Sequence, residues 1–268
     1  MNESLVDAPC NTENRLYYYV DLSVFINCIV EKSELIDRKI SLLAGHCDYM
    51  NDSSEFRIGH GVIKENKAIN PSIAHNIEEL KNLSPFMISF SKAKDSLPMW
   101  HLYAKDAGGV MLCFDMKKIS ALFKRKIKNV IYNNSKAYTA MCDYIVNTDK
   151  YLSKEIDSST GEPTNKAVET FQKALEWFPF ITKTAYFEYE QEVRLSRIDW
   201  SDKDMMYIPK HGLLCPYRKL YFPANFLKEI YLSPKLSSEL TRQSLRKFLD
   251  QNSLSEVEIQ TSQIPYRG

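Results

Sequence analysis

Apolar and polar positions alternate in short segments along this chain, and each segment predicts an element. Residues 15–20, Arg-Leu-Tyr-Tyr-Tyr-Val, have the aromatic and β-branched character of a strand. Asp21 and Ser23 then offer N-caps to a helix with Val24, Phe25, Cys28 and Ile29 on one apolar stripe. A second strand is predicted over 39–43, a turn over Asn51-Asp52-Ser53-Ser54-Glu55, and a helix near 72–83. Phe86–Ser91 reads as a strand. Pro98 opens a short aromatic helix, Gly108-Gly109 marks a turn, and 110–114 reads as another strand. Asp115 is placed to cap a helix carrying Ile119, Leu122 and Phe123, followed by a strand over 127–132.

Helices are expected over 136–152 and 165–178, joined by the polar loop Asp157-Ser158-Ser159-Thr160-Gly161-Glu162-Pro163. The last third predicts strands at 189–197, 205–208, 228–232 and near 256–261, with a helix near 236–250. Strands and helices do not alternate regularly, which argues against a doubly wound parallel sheet. The expectation is an α+β fold: one mixed, split β-sheet flanked by helices, forming a single domain over 1–268 with its core at about 15–262.

Composition changes this picture little. The 268 residues carry a formal net charge of +1, so no overall field calls for nucleic acid or an anionic membrane. The densest local basic run, Lys117-Lys118 with Lys124-Arg125-Lys126 and Lys128, reads as a solvated helix end entering a strand. The N-terminus lacks the basic and apolar regions of a signal peptide, and no stretch reaches the length of a membrane span. The six cysteines show no zinc spacing and read as reduced thiols. A cytoplasmic protein with no resident metal and no membrane partner is expected. Aromatic residues make up 12% of the chain, and such rings line pockets for flat ligands as well as cores.

Four constellations offer chemistry. Along a strand running from Phe187 to Leu195, Glu188, Glu190, Glu192 and Arg194 share one face, and Tyr189, Val193 and Leu195 the other. Three carboxylates on one face repel each other. They belong either to a solvated edge or to a cleft that stabilises positive charge developing on a sugar. Ser89 and Ser91 share a face of their strand and suit a carboxylate or ribose hydroxyl. Met99-Trp100-His101-Leu102-Tyr103 reads foremost as a buried aromatic anchor. In Tyr17-Tyr18-Tyr19, Tyr18 points opposite to its neighbours, and one or two of the rings are candidates to stack on a base. His46 beside Cys47 makes no nucleophile case, for want of a third orienting group.

In order, Leu16-Tyr17-Tyr18-Tyr19, Asn51-Asp52-x-x-Glu55, Ser89-Phe90-Ser91, Met99-Trp100 with Tyr103-Ala104 and Gly109, Lys183…Phe187-Glu188-Tyr189-Glu190-Gln191-Glu192-Val193-Arg194, and Leu227…Ile230-Tyr231-Leu232-Ser233-Pro234 resemble the pattern of an uncharacterised bacterial family. The same order resembles the ADP-ribosyltransferase superfamily. That resemblance implies NAD⁺ as the substrate-cofactor. It places Tyr18 at the position of a His or Arg that holds the nicotinamide ribose, and Ser89 and Ser91 on a bracing strand. Glu190 and Glu192 become the catalytic pair. Tyr19, Phe90, Trp100 and Arg194 join Tyr18 and the serines as expected cofactor-binding residues. Tyr18 for His or Arg, Phe187 for Trp and Ser233 for Gly are its departures.

The implied chemistry starts with loss of nicotinamide, which leaves an oxocarbenium-like ribosyl cation. Glu192 accepts a hydrogen bond from the ribose 2′-OH and stabilises the cation, Glu190 orients or deprotonates the acceptor, and Arg194 pairs with Glu188 or reaches the pyrophosphate. The acceptor is a protein or nucleic acid, as for a toxin or anti-phage effector, with room for a regulatory or antitoxin partner. Two alternatives share the scaffold: an NAD⁺ glycohydrolase, and an inactive module that binds a nucleotide or a partner. A nuclease gathering Glu188, Glu190, Glu192 and Asp115 around Mg²⁺ is the most distant.

Overall fold

The computed structural model describes residues 14–26, 39–50, 52, 57–65, 86–123, 126–152, 154–197, 205–210 and 212–266. The turn predicted at Asn51–Glu55 apart from Asp52, the helix near 72–83, and Cys28 and Ile29 of the first helical stripe lie outside the described residues. So do Lys124 and Arg125 of the basic run.

Twelve strands and seven helices longer than a single turn are described. The strands are β1 (Arg15–Asp21), β2 (Lys39–His46), β3 (Phe86–Ser91), β4 (Gly109–Asp115), β5 (Ile127–Asn129), β6 (Ile131–Tyr132), β7 (Thr182–Lys183), β8 (Glu192–Arg197), β9 (Met206–Lys210), β10 (Leu213–Pro223), β11 (Leu227–Leu232) and β12 (Glu258–Thr261). The helices are α1 (Arg57–Glu65), α2 (Leu97–Tyr103), α3 (Met116–Phe123), α4 (Lys136–Val146), α5 (Thr148–Leu152), α6 (Asn165–Ile181) and α7 (Glu239–Gln251). Local signals set many of these bounds. Pro98 sits in the first turn of α2, Asp115 accepts the Lys118 amide at 3.2 Å to start α3, and Ser135, Thr164 and Ser238 cap α4, α6 and α7.

Ten strands form one mixed sheet in the order β12-β11-β4-β1-β3-β2-β10-β9, with β8 on β3 and β5 on β8. Only the β11–β12 pair within it is parallel. The sheet divides at β3. One edge of β3 pairs with β8 along its whole length. The other edge meets β1 only at Ser91, opposite Tyr17, and meets β2 only at Phe86 and Met87. Between those points β1 and β2 diverge. β1 leads to β4, β11 and β12, and β2 leads to β10 and β9.

Strand alternation gives this sheet two unlike faces. Leu16, Val20, Leu42, Ala44, Ile88, Phe90, Leu112, Phe114, Val193 and Leu195 lie on the first, in one apolar core with Ile119 of α3 and Leu245 and Leu249 of α7. On the opposite face Tyr17, Tyr19, Met111, Cys113 and Tyr231 pack under Met99 and Trp100 of α2. A third cluster joins Ile63 of α1, Met141 and Ile145 of α4, and Phe171 and Phe178 of α6. Gly59 makes that contact possible, since a Cβ there would stand 2.6 Å from the Pro179 Cα.

Some expectations fail. The helix read over 136–152 ends at Val146, and a second one, α5, begins at Thr148. The strand read over 127–132 is broken into β5 and β6. β10, eleven residues long and central to one half of the sheet, carries no strand prediction at all. Pro216 and Pro223 interrupt its pattern, and proline is disfavoured inside strands. Pro216 is tolerated where β10 meets the short strand β9, opposite Tyr207.

Candidate functional site

The acidic segment departs furthest from expectation. Ala185–Glu190 is a 3-10 helix, not strand, started by the Thr184 side chain on the Tyr186 amide. It ends at Gln191, whose φ of 45° is left-handed, and β8 begins only at Glu192. Val193 and Leu195 enter the core as expected, but Tyr189 is exposed and does not share their face. Glu188 is also exposed, where it accepts the Asn134 amide, and does not pair with Arg194. With Asp115 used to cap α3, the four-carboxylate arrangement of a Mg²⁺ site is not assembled.

Glu190 and Glu192 are neither solvated nor on one strand face, yet they converge. Lys183 Nζ of β7 bridges them, at 2.6 Å from Glu190 Oε2 and 3.1 Å from Glu192 Oε2. Arg194 grips Glu192 with two nitrogens, Nε to Oε1 at 2.8 Å and a terminal nitrogen to Oε2 at 3.0 Å. The other guanidinium nitrogen donates to the Phe180 carbonyl at 2.7 Å, one of the carbonyls that α6 leaves unsatisfied at its end. Arg194 is 1% exposed and so reaches no pyrophosphate, in contrast to its expected role. The Ser89 side chain also bonds the Glu192 carboxyl, and the Glu192 amide donates to the Tyr132 hydroxyl at 3.0 Å. The Tyr103 hydroxyl donates to Glu190 Oε1 at 2.6 Å, and Ser91 Oγ donates to the Glu190 carbonyl at 2.6 Å.

The two carboxyls respond differently to this setting. Burial pushes Glu192 up, but the Arg194 and Lys183 charges and their hydrogen bonds outweigh it and hold the group well below the ordinary carboxylate range. For Glu190 burial prevails. Its carboxyl is raised, against the pull of Lys183 and Tyr103 and with the added repulsion of Glu192. Four hydrogen bonds fill the acceptor positions of Glu192. Glu190 takes one side-chain donor on each oxygen and keeps acceptor capacity.

Above this cluster lies a cleft of about 150 Å³, partly open to solvent. It occupies the fork of the sheet. Tyr17 and Tyr19 of β1 line one wall with Tyr103, and Leu43 and Gly45 of β2 line the other with Tyr217 of β10. Ser89, Ser91, Lys183, Glu190 and Glu192 form its depth. Gly45 leaves room for the Tyr217 ring, since a Cβ would stand 3.3 Å from it.

The expected cofactor-binding residues divide accordingly. Ser89 is the exposed hydroxyl of the group. Ser91 is buried and committed to Glu190 and to the Ala93 amide. Tyr19 offers its ring, because its hydroxyl donates to the Ala93 carbonyl at 2.7 Å and accepts the Ser96 amide. Tyr18 and Phe90 border the cleft, but alternation sends their rings to the opposite face, where they meet edge-on at 6.2 Å. Tyr18 therefore does not stand where a His or Arg would reach a ribose. Trp100 is fully buried, with Nε1 on Asp95 at 2.8 Å, and anchors α2 instead of touching a ligand.

Residues that sequence reasoning left without a role complete the site. Lys183 stood in the family pattern but carried no assignment. Tyr103 was read as part of an anchor, and Tyr217 lies on the unpredicted strand. His46, at the cleft wall, does have a third group nearby. Asp48 Oδ1 takes the Cys47 thiol at 3.5 Å, and His46 Nδ1 accepts the Asp48 amide at 3.2 Å. Burial holds His46 below its ordinary value, so it is neutral near pH 7, with the proton on Nε2. His46, Cys47 and Asp48 have ligand atoms within 4.8 Å of one another, although Nδ1 is already engaged. The basic run disperses: Lys118 binds the Asn225 carbonyl, and Lys128 is buried beside the Trp177 ring.

Fold and site together define an α/β protein with helices flanking a mixed sheet and a charged cleft at the point of division. Among the described residues no helix is long and apolar enough to cross a membrane. Residues 99–195 match the model of a family described as a protein of unknown function, DUF2971. That stretch contains Tyr103, Lys183, Glu190, Glu192 and Arg194, while the β1 tyrosines and the β3 serines lie outside it. Neither the curated proteins nor the solved structures contain a match.

Proposed function

We propose that this protein is an NAD⁺-dependent ADP-ribosyltransferase with a fold of that type, acting on a macromolecule. The observation that carries the reading is the coincidence of the sheet's division with the carboxylate pair. Glu190, Glu192 and Ser89 lie at the bottom of a tyrosine-walled cleft that opens to solvent. The aromatic walls suit the flat nicotinamide and adenine rings. NAD⁺ supplies the reactive glycosidic bond, and the protein supplies geometry and field.

In this reading Glu192 acts as a fixed negative charge. Arg194 and Lys183 keep it ionised, and it opposes the positive charge that develops on the ribosyl carbon. A ribose hydroxyl reaches it by taking the place of Ser89 or by bonding to that exposed hydroxyl. Glu190, with free acceptor capacity, faces the attacking group. Purified protein incubated with labelled NAD⁺ and cell lysate should transfer label to protein or nucleic acid, and Glu192→Gln should abolish transfer while the variant stays folded. Full activity in that variant would reject the assignment, and free ADP-ribose without a labelled macromolecule would make the protein a glycohydrolase.

A second reading has its own support. Glu192 is saturated by internal donors, and the Tyr18 ring lies across the sheet from the cleft. Both features suit a module that binds a nucleotide without consuming it. Calorimetric titration with NAD⁺ beside a nicotinamide-release assay separates the two, since binding without release supports the module.

A further inference from the structure

We propose that Tyr103 and Lys183 are positioning residues for Glu190: between them they fix the orientation of its carboxyl at the floor of the cleft and keep it charged. What Glu190 acts on rests on the NAD⁺ reading above, whereas the positioning follows from geometry alone.

Glu190 is the last residue of a 3-10 turn, with no neighbouring strand to orient its side chain. Three other elements hold it. Ser91 at the end of β3 binds its carbonyl, Tyr103 at the end of α2 donates to one carboxyl oxygen, and Lys183 of β7 donates to the other. Both side-chain contacts are 2.6 Å long, as charge-assisted bonds are. With both oxygens fixed, the plane of the carboxyl is fixed. The remaining lone pairs belong to the cleft.

Each positioning residue is itself anchored. Lys183 is 5% exposed. Its ammonium lies between the two carboxylates and 4.7 Å from the centre of the Phe187 ring. Tyr103 stands at the end of a helix that stops in an unusual way. Lys105, Asp106 and Ala107 follow it with φ of 49°, 53° and 59°, a left-handed turn without glycine. Such residues cost about 1–2 kcal/mol each unless the surroundings hold them. Here the Ala107 amide donates to the Trp100 carbonyl at 2.9 Å, and the Ser233 hydroxyl donates to the Ala107 carbonyl. Lys105 pairs with Asp21, and Asp106 with Lys235. The turn ties the end of α2 to β1 and to the segment after β11, and so limits where Tyr103 can go.

The charge on Glu190 is contested. Burial and Glu192 oppose it, and Lys183 and Tyr103 favour it. Tyr189 on its own turn and Tyr132 of β6 also feel it, and Arg194 acts on it through Glu192. Loss of either donor shifts the balance toward the protonated acid. In the transfer reading Glu190 takes the proton of the attacking N–H or O–H. The freed lone pair bonds the ribosyl carbon, nicotinamide departs with the electrons of the broken C–N bond, and Tyr103 and Lys183 keep their own protons.

The test is a carbon NMR titration of the full chain, without nucleotide, labelled at glutamate carboxyl carbons. The Glu190 resonance is identified by its absence in Glu190→Gln. Tyr103→Phe should raise its midpoint by about one pH unit, the value of one charge-assisted hydrogen bond. Lys183→Met should raise it further, and Lys183→Arg, which keeps the charge, should restore most of the shift. A midpoint unchanged in a folded Tyr103→Phe protein overturns the proposal. In nicotinamide release, Tyr103→Phe should lower kcat with KM retained, most strongly at low pH, and the loss should shrink as pH rises. A loss equal at every pH also overturns it. If the wild-type protein releases no nicotinamide, the transferase reading falls, and the titration still decides the positioning.

Discussion

Around β8 the two faces of the sheet solve the problem of burial in opposite ways. The strand β8 shows both within four residues. Val193 and Leu195 enter an apolar core with Phe90 and Ile88, while Glu192 and Arg194 enter a buried ionic cluster with Lys183 and Glu190. The apolar face gains from every buried methylene and tolerates other apolar side chains of about the right volume. The ionic face is held together only while each charge keeps its partner, because desolvation of an unmatched ion costs several kcal/mol. One face is robust and non-specific; the other is fragile, and its geometry is defined to the atom.

The comparison is broken most severely by removing one member from each side. Phe90→Ala and Lys183→Met should each cost about 3–5 kcal/mol in urea denaturation near neutral pH. They should differ in pH dependence. With Lys183 gone, Glu190 rises further above its ordinary value in the folded state, so its protonated form stabilises the fold at low pH and that contribution is lost as pH rises. The deficit of Lys183→Met should therefore shrink from pH 8 to pH 5, and that of Phe90→Ala should not change. Equal deficits at both pH values would mean that the cluster is held by packing and not by charge.

A smaller effect should appear in the wild-type acid limb. The folded state depresses Glu192 below its ordinary value of 4.5, so its contribution is present above that pH and disappears as pH falls through the folded value. Glu190, raised above 4.5, works in the opposite direction: it opposes folding as pH rises past its ordinary value. Thermal melting should show stability declining below about pH 4.5. Glu192→Gln should start from a lower melting temperature at pH 7 and decline less steeply in acid. The smallest effect belongs to Gln191, whose left-handed φ separates the two glutamates. Gln191→Gly should leave the fold intact and stabilise it by up to about 1 kcal/mol, while Gln191→Val should destabilise it.

Much of the scaffold could be read in the chain because its signals are local. The cap at Asp115, the proline that opens α2, and the short aromatic and apolar runs of β1, β3 and β4 need no distant partner. The site was legible only as residue types. Ser89, Glu190 and Glu192 were marked by pattern, but on a false premise. An alternating strand was assumed where a 3-10 turn and one left-handed residue bring the carboxyls together. Tyr18 falls on the far side of the sheet for a related reason. Sequence shows that a side chain alternates, but not which side of the sheet becomes a cleft and which a core.

What the sequence determined by itself was most of the elements, some of their caps, and the alternation of side chains along strands such as β1, since these arise between residues a few positions apart. Tertiary structure decided the division of the sheet at β3, the strand β10 despite its prolines, and the meeting of Tyr103, Lys183 and Glu190 across as many as 87 positions. The charge on each carboxyl was decided there too, because it depends on burial and on partners that only the folded chain brings within a few ångströms.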